Sequence, residues 1–192
     1  MKKKNHLHRI HKKIEVRPMA LSDYDAWVDY YHTLKDPMNK WDSIKLDPSK
    51  LTKCEFKSLL KRKEKQLKTD SGYYLSVFEK KSGRRVGAVS AMDVIRSVSQ
   101  TTFLGYVIHN NFWGLGYGKA SALAMIDIIF RDLKLHRVEA GVEPYNRRSI
   151  FLAKSIGLRK EGLKKRMVFI RGEWRDLVVY SATCEELSLI HI

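Results

Sequence analysis

Three glycines at alternate positions, followed by a lysine, lie in the stretch FWGLGYGKA at residues 112–120. Such loops are typical of phosphate sites, because glycine lets the backbone approach a ligand and the first N–H groups of a following helix bind anions. A Walker loop does not fit, since Gly114 and Gly118 enclose one residue too few and Ala120 replaces the metal-binding hydroxyl. A dinucleotide loop does not fit either, since it needs G-x-G-x-x-G after the first strand. A tight turn that only permits close packing remains the alternative to another phosphate ligand.

The composition is that of one strongly basic domain. The chain has 192 residues, with 37 Lys and Arg against 21 Asp and Glu and a formal charge of +16. Such a charge attracts polyanions, but no zinc-finger, KH or RNP pattern points to specific nucleic-acid recognition. The two cysteines, Cys54 and Cys184, are far apart and form no CxxC pair, which argues against a disulfide framework or a zinc site.

Both ends of the chain are predicted to be tails around a single domain at 13–184. Residues 1–12 are basic and lack the apolar core of a signal peptide, and no stretch approaches about 18 apolar residues. We therefore expect a cytoplasmic protein with no membrane partner. His6, His8 and His11 have the chemistry to ligate a metal, but a flexible basic tail is the favoured interpretation, so we expect no metal. Residues 185–192 form the predicted C-terminal tail.

Hydrophobic periodicity predicts alternating strands and helices along the domain. The predicted helix at 48–68 has Asp47 as its N-cap and turns Leu51, Cys54 and the later leucines inward. Glycine-rich residues 114–118 join the fourth strand to a buried helix. The predicted strands are 13–18, 73–80, 85–95, 101–109, 136–143, 163–170 and 173–182, and the predicted helices are 21–34, 48–68, 117–133 and 146–157. This order predicts an α/β (α+β) fold, a mixed seven-stranded sheet with helices on both faces.

Three motifs in order give the chain a family resemblance. The stretches LGYVIHNNFWGLGYGKASAL, LKLHRVEAGVEPYNRRSIFLAKSIGLRKEG and GEWRDLVVYS together resemble the GNAT superfamily of acyl-CoA N-acyltransferases. Within it, residues 14 to about 183 look most like the Rim-type ribosomal-protein alanine N-acetyltransferases. The matching positions are Trp113, Gly114, Leu115, Gly116, Tyr117 and Gly118 for the family's loop, Asn146 and Ser149 for its Asn-x-x-Ser, Glu161 and Gly162 for its Glu-Gly, and Trp174, Asp176 and Tyr180 for its closing motif.

The resemblance implies a mostly antiparallel sheet with a splay between strands four and five. It implies that the backbone of Tyr106, Val107 and Ile108 pairs with the pantetheine of coenzyme A and that the glycine loop binds the pyrophosphate. Trp113 stands where the family usually has glutamine or arginine. Lys119 either contacts a phosphate of the ligand or is a solvated first-turn lysine.

The resemblance also assigns Asn146 and Ser149 to the active site. Asn146 would contact pantetheine, and Ser149 would bond the thiolate sulfur or a relaying water, although both also suit simple helix caps. Some relatives carry a tyrosine acid four residues later, where this chain has Ala153. The proton for the leaving thiolate is therefore expected from Ser149, Tyr145 or solvent.

The implied reaction is direct attack of an amine on the thioester of acetyl-CoA, with a backbone N–H near the end of strand four stabilising the oxyanion. Neither cysteine falls in a motif, so a covalent intermediate is not expected. Glu143 and Glu161 are candidate bases and equally suit surface carboxylates.

The favoured acceptor is a protein N-terminal α-amine. Its pKa is about 7.7 to 8.0, so it needs far less help from a base to become neutral than a lysine, whose pKa is near 10.4. The positive charge suits work near the ribosome. The alternatives are acetylation of a small amine or amino sugar, and a non-catalytic acyl-CoA-binding or RNA-associated module. We expect a monomer or a homodimer.

Overall fold

A mixed β-sheet organises the protein, whose computed structural model describes residues 7–188. Within that range the sheet has eight strands in the order β1-β2-β3-β4-β5-β6-β8-β7. Every neighbouring pair is antiparallel except β5 and β6, which are parallel. The strands are β1 (Arg9–His11), β2 (Ile14–Arg17), β3 (Gly72–Glu79), β4 (Arg85–Ile95), β5 (Thr101–Ile108), β6 (Arg137–Val142), β7 (Arg159–Ile170) and β8 (Glu173–Thr183).

Helices cover both faces of this sheet. In the described residues they are α1 (Tyr24–His32), α2 (Lys53–Lys68), α3 (Tyr117–Asp127), α4 (Arg147–Ser155) and α5 (Cys184–Ser188). The main core lies between the sheet and α3, whose small Ala122 and Ala124 are buried in the same cluster as Leu75 and Val77 of β3. On the opposite face, Arg85 donates to Ser76 Oγ at 3.2 Å and lies 4.1 Å from the ring of Tyr30 in α1. The expected α/β fold with a mostly antiparallel sheet is confirmed.

The expected count of seven strands is wrong, because β1 lies inside the segment predicted as a basic tail. Arg9 pairs with Val16 in a β1–β2 hairpin, and its guanidinium contacts Asp127 at 2.6 Å and Asp132 at 2.5 Å. Leu7 is buried in the main core. These partners lie more than a hundred residues away in sequence, so the local composition of the leader did not reveal them. His6 lies outside the described residues.

The C-terminal boundary differs in the same way. Cys184 begins α5, and Leu187 packs into the main core with 2% of its surface exposed. The part of the predicted tail that the structure describes is therefore helical up to Ser188. The remainder of that tail, residues 189–192, lies outside the described residues.

The predicted helix at 48–68 is two elements. Asp47 caps a 3-10 turn at Pro48–Lys50, and Thr52 caps α2 by accepting from Glu55 N at 3.2 Å. The expectation that Cys54 turns inward is wrong, because its thiol is exposed. Phe56 is buried in its place, against Trp27 with ring centroids 5.2 Å apart. The larger aromatic surface decides which side of the first helical turn faces the protein.

None of the described helices is long and apolar enough to cross a bilayer.

Replacement of Phe56 with alanine tests whether this aromatic cluster fixes α2 to α1. The ring is 1% exposed, so we expect the free energy of unfolding to fall by about 3 to 5 kcal/mol, as for other buried aromatic truncations. Phe151, which is 74% exposed on α4, is the matched control and its alanine variant should change stability by about 0.5 kcal/mol or less. Urea denaturation of both variants measures this. Equal losses would contradict the packing described.

Candidate active site

The parallel strands β5 and β6 separate after a short paired stretch. Their pairing runs only from Thr101 with Arg137 to Phe103 with Glu139, although β5 continues to Ile108 and β6 to Val142. Beyond Phe103, β5 pairs with β4 alone and β6 pairs with β8 alone. The expected splay is thus confirmed. It leaves backbone polar groups of two central strands facing a gap.

The parity of β5 shows which of its backbone groups face the gap. His109 N donates to Val86 O on the β4 side at 2.8 Å, and alternate residues of a strand direct their N–H and C=O to opposite sides. The backbone N–H and C=O groups of Tyr106 and Ile108 therefore face the gap, whereas those of Val107 face β4. The resemblance implied that the backbone of Tyr106, Val107 and Ile108 would be available to a ligand. In the structure Tyr106 and Ile108 face the gap, but the backbone of Val107 already pairs with β4.

The glycine loop leads from the end of β5 into α3. Gly114 and Gly116 both have φ near 79°, a left-handed conformation that favours glycine. A Cβ at either position would meet nothing within 4 Å. Gly116 is the N-cap of α3 and offers no side chain to the first N–H groups of that helix. The loop therefore presents free N–H donors to open space, the arrangement that binds anions.

The loop's other residues divide into outward and inward side chains. Leu115 and Lys119 are exposed, and Lys119 makes no ion pair with a described residue. Tyr117 is buried, and its hydroxyl donates to Glu79, which raises the pKa of Tyr117 to about 12. Gly118 lies against α4, where an added Cβ would sit 3.4 Å from Leu152. Only the outward residues can offer side chains to a ligand.

Trp113 fastens this loop to its neighbours. Its indole Nε1 donates to Ile108 O at 2.9 Å, and the guanidinium of Arg148 lies 3.6 Å from its ring centroid. The Ile108 carbonyl is consequently occupied, which leaves that residue's N–H for a ligand in the gap. Trp113 thus connects the end of β5 with the start of α4. This differs from the phosphate contact expected of a glutamine or arginine at its position.

The side chains of β5 and α4 meet beside the gap. Asn146 caps α4 by accepting from Ser149 N at 3.2 Å. Ser149 Oγ is 2.9 Å from the Tyr106 hydroxyl, which also donates to the Ser149 carbonyl at 3.2 Å. Burial raises the pKa of Tyr106 above its ordinary value, and the hydrogen bond with Ser149 opposes that shift. Tyr106 and Ser149 were both predicted as site residues, and the structure joins them through the Tyr106 hydroxyl, for which the sequence predicted no role.

A cavity of about 330 Å³ opens at the splay. Its walls come from β4, β5, β6, α4, β7 and β8. They are formed by Met92, Asp93, Phe103, Leu104, Gly105, Tyr106, Ala140, Gly141, Ser149, Met167, Val168 and Leu177. Among these residues Asp93 is the one carboxylate, and it sits at a β-bulge with φ near 51°. The cavity is mostly apolar, with a hydroxyl pair on one wall and a carboxylate on another.

A segment that we name the strap, residues 33–46, spans the open end of the splay. Asp42, whose side chain is 2% exposed, pairs with Arg148 of α4 at 3.0 Å. Lys40 pairs with Glu143 just after β6 at 2.9 Å, and its carbonyl accepts from Arg171 in the β7–β8 turn at 2.9 Å. On the other side, Asn111 just after β5 donates its side-chain amide to Thr33 O at 2.6 Å. The strap therefore links the elements on both sides of the cleft.

The two candidate bases differ in position. Glu143 lies near the open end of the splay but is paired with Lys40. Glu161 lies at the opposite end of β6, where hydrogen bonding with Arg137 lowers its pKa. Neither lines the cavity. Neither Tyr145, which is 81% exposed, nor the fully buried Ala153 lines the cavity, so the cavity wall has no hydroxyl from these positions.

Comparison with known proteins identifies the class to which this arrangement belongs. A family model described as an acetyltransferase (GNAT) domain matches residues 13–159. The chain belongs to the GNAT acetyltransferase family, whose members transfer an acetyl group from acetyl-CoA to an amine.

Three similar proteins show how the chain relates to that family. The probable N-acetyltransferase YjcK of Bacillus subtilis is 31% identical over 86% of this chain and 91% of its own. The [ribosomal protein uS5]-alanine N-acetyltransferase of Escherichia coli is 29% identical over 84% of each chain. The structure of Mycobacterium smegmatis RimJ in complex with CoA-disulfide superposes with a TM-score of 0.75, at 25% identity over 91% of this chain and 83% of that one.

Three features of the site were not predicted from the sequence. Asp93 was readable as a lone charge within the apolar run AMDVI. The hydroxyl contact of Tyr106 and the pairing of Asp42 with Arg148 carry no local signal, because their partners are 43 and 106 residues away.

Replacement of Arg148 with methionine tests the attachment of the strap. The change leaves the buried Asp42 carboxylate with its Met38 N–H donor at 2.7 Å and without its cation. We expect the unfolding free energy to fall by about 1 to 3 kcal/mol. We also expect hydrogen exchange to become faster for amides of the strap, relative to the unmodified protein, and to change less in the rest of the chain. The control is the methionine variant of Arg147, its exposed neighbour. Unchanged exchange in the strap would refute the link.

Proposed function

We propose that this protein transfers acetyl from acetyl-CoA to the N-terminal α-amine of a protein. The observation that carries the proposal is the splay between β5 and β6, which opens beside a glycine loop at a helix N-terminus and ends in a cavity lined by Ser149. The likeness to an enzyme named for the alanine terminus of ribosomal protein uS5 supports the acceptor class.

The described residues fit coenzyme A along the gap. A ligand with amide groups can take the place of a missing strand beside Tyr106 and Ile108, whose backbone groups face the gap by parity. The N–H groups that open α3 suit a pyrophosphate, and the exposed Lys119 ammonium adds positive charge beside them. Asn146 and Ser149, at the start of α4, are the proposed contacts nearest the thioester.

In the proposed reaction these residues orient the acceptor amine and the thioester of acetyl-CoA. The amine nitrogen attacks the thioester carbonyl carbon, and the carbon–sulfur bond then breaks to give the amide and a thiolate. A backbone N–H of β5 on the gap side is the proposed donor to the oxyanion. Ser149 donates its hydroxyl proton toward the departing sulfur.

The surface around the cavity favours a peptide acceptor over a small polar amine. The walls from Met92, Phe103 and Leu177 are apolar. The adjoining β7–β8 hairpin exposes Phe169 and Trp174, 61% and 60% accessible, with ring centroids 5.4 Å apart. An exposed apolar patch beside a cavity is typical of a site that receives a macromolecule.

The pH dependence of acetyl transfer follows from the acceptor. An α-amine with a pKa of about 7.7 to 8.0 reaches mostly neutral form near pH 8.5, whereas a lysine near 10.4 does not. We expect the rate with a peptide α-amine to rise steeply between about pH 6.5 and 8.5 and to approach a plateau above that, because most of the amine is then already neutral.

A panel of acceptors measures this by release of free thiol from acetyl-CoA. Peptides with a free N-terminus should react, and their N-terminally blocked copies containing one lysine should react at least about a hundredfold more slowly at pH 7. Polyamines and amino sugars form the comparison set. Turnover confined to small amines would overturn the acceptor class. No turnover despite coenzyme A binding would favour a non-catalytic module.

Alanine at Gly116 tests the glycine loop as the phosphate site. The substitution strains a backbone at φ 79° and adds a methyl group where the loop opens, and we expect coenzyme A to bind about tenfold more weakly. Gly83, at φ 71° in the β3–β4 turn with equal open space, is the matched control. Both variants should lose about 1 kcal/mol of stability. Calorimetry should show weaker binding for G116A alone, and equal affinities would exclude the loop.

A further inference from the structure

We propose that Tyr106 is a positioning residue for acetyl transfer, holding the Ser149 hydroxyl toward the thioester sulfur and resupplying its proton. This inference rests on the proposed function, since it concerns the departure of the thiolate in that reaction. It assigns a side-chain role to a residue expected only to offer its backbone.

The contact between the two hydroxyls can pass a proton in either direction, because each oxygen can act as donor or acceptor. Tyr106 Oη lies 2.9 Å from Ser149 Oγ, within the range of a good O–H···O hydrogen bond. The single phenol proton of Tyr106 has two acceptors within reach, the Ser149 carbonyl at 3.2 Å and Ser149 Oγ at 2.9 Å. In the proposed step it turns to Ser149 Oγ, and the serine's own proton is then free for another acceptor. Both residues line the cavity at the splay. The serine proton is then available on the side where the thiolate forms.

No other residue of the cavity wall can take this role. Among the described residues that line the cavity, Tyr106 and Ser149 are the two with hydroxyl groups. Ala153, at the position where some relatives carry a tyrosine, is buried and has no polar atom in its side chain. A tyrosine on β5 thus reaches α4 from the opposite side of the gap.

The surroundings keep Tyr106 in its donor form. Its ring packs against the main core, and this burial raises the pKa of its phenol. The residue is therefore protonated at neutral pH and serves as a hydrogen-bond donor throughout the range in which an α-amine becomes neutral.

The proton inventory balances without a further reactant. The carbon–nitrogen bond forms first, and the carbon–sulfur bond of the oxyanion then breaks. The thiolate takes the Ser149 proton while Ser149 takes the Tyr106 proton. The proton that the acceptor nitrogen loses returns to Tyr106 through water. One proton leaves the amine and one reaches sulfur, so both hydroxyls end as they began.

The phenylalanine variant of Tyr106 removes the hydroxyl and keeps the ring. We expect kcat with a peptide acceptor to fall at least about tenfold, in keeping with the loss of assistance to proton transfer, while the KM for acetyl-CoA changes less than about twofold. Tyr24 is the matched control, since its hydroxyl also donates to a backbone carbonyl, Leu51 O at 2.7 Å, but does not line the cavity. Y24F should keep the kcat of the unmodified protein.

A double-variant cycle separates positioning from a structural effect. If Tyr106 acts through Ser149, Y106F should reduce kcat strongly in the original protein and less than about twofold in the S149A background. Equal reductions in both backgrounds, or no loss of kcat in Y106F, would overturn the inference. Absence of turnover in the unmodified protein with every acceptor would instead refute the proposed function, and calorimetry with coenzyme A confirms that each variant retains its site.

Discussion

The interrupted pairing of two central parallel strands is the constraint on which the site depends. Strand pairing normally satisfies the backbone N–H and C=O groups in the middle of a sheet, and a buried group without a partner costs stability. In this protein the ladder between β5 and β6 ends at Phe103 and Glu139. The groups beyond it need water or a ligand, so the sheet itself creates a linear binding edge.

The gap is held open from three sides. The indole of Trp113 donates a hydrogen bond to the last carbonyl of β5, that of Ile108, and its ring stacks against the guanidinium of Arg148 in α4. Arg148 in turn pairs with Asp42 of the strap. Beside the cavity, the Tyr106 hydroxyl joins β5 to Ser149 of α4. These contacts form one chain of interactions, so the distance between the strands is set by side chains from four separate elements.

Local patterns predicted the parts of the fold that are locally determined. The alternate glycines 114 and 116 do adopt left-handed backbone conformations, and Asn146 does cap α4. The family resemblance supplied the splay, which periodicity alone does not indicate. The misassigned elements depend on distant partners. Strand β1 needs its contacts with α3, and the side of α2 that faces inward depends on Trp27 offering a surface to Phe56.

The charge distribution bears on the acceptor in a way that the net charge of +16 does not reveal. Near the cleft, Glu143 and Asp42 are each paired with a cation. Asp93 is the one carboxylate on the described cavity wall, and it forms no ion pair with a described residue. A single carboxylate attracts an ammonium but supplies little of the several-hundredfold assistance that a lysine acceptor would need at neutral pH. An α-amine, already partly neutral, would require chiefly orientation, which is the role that we propose for the hydroxyl pair and the exposed strand edge.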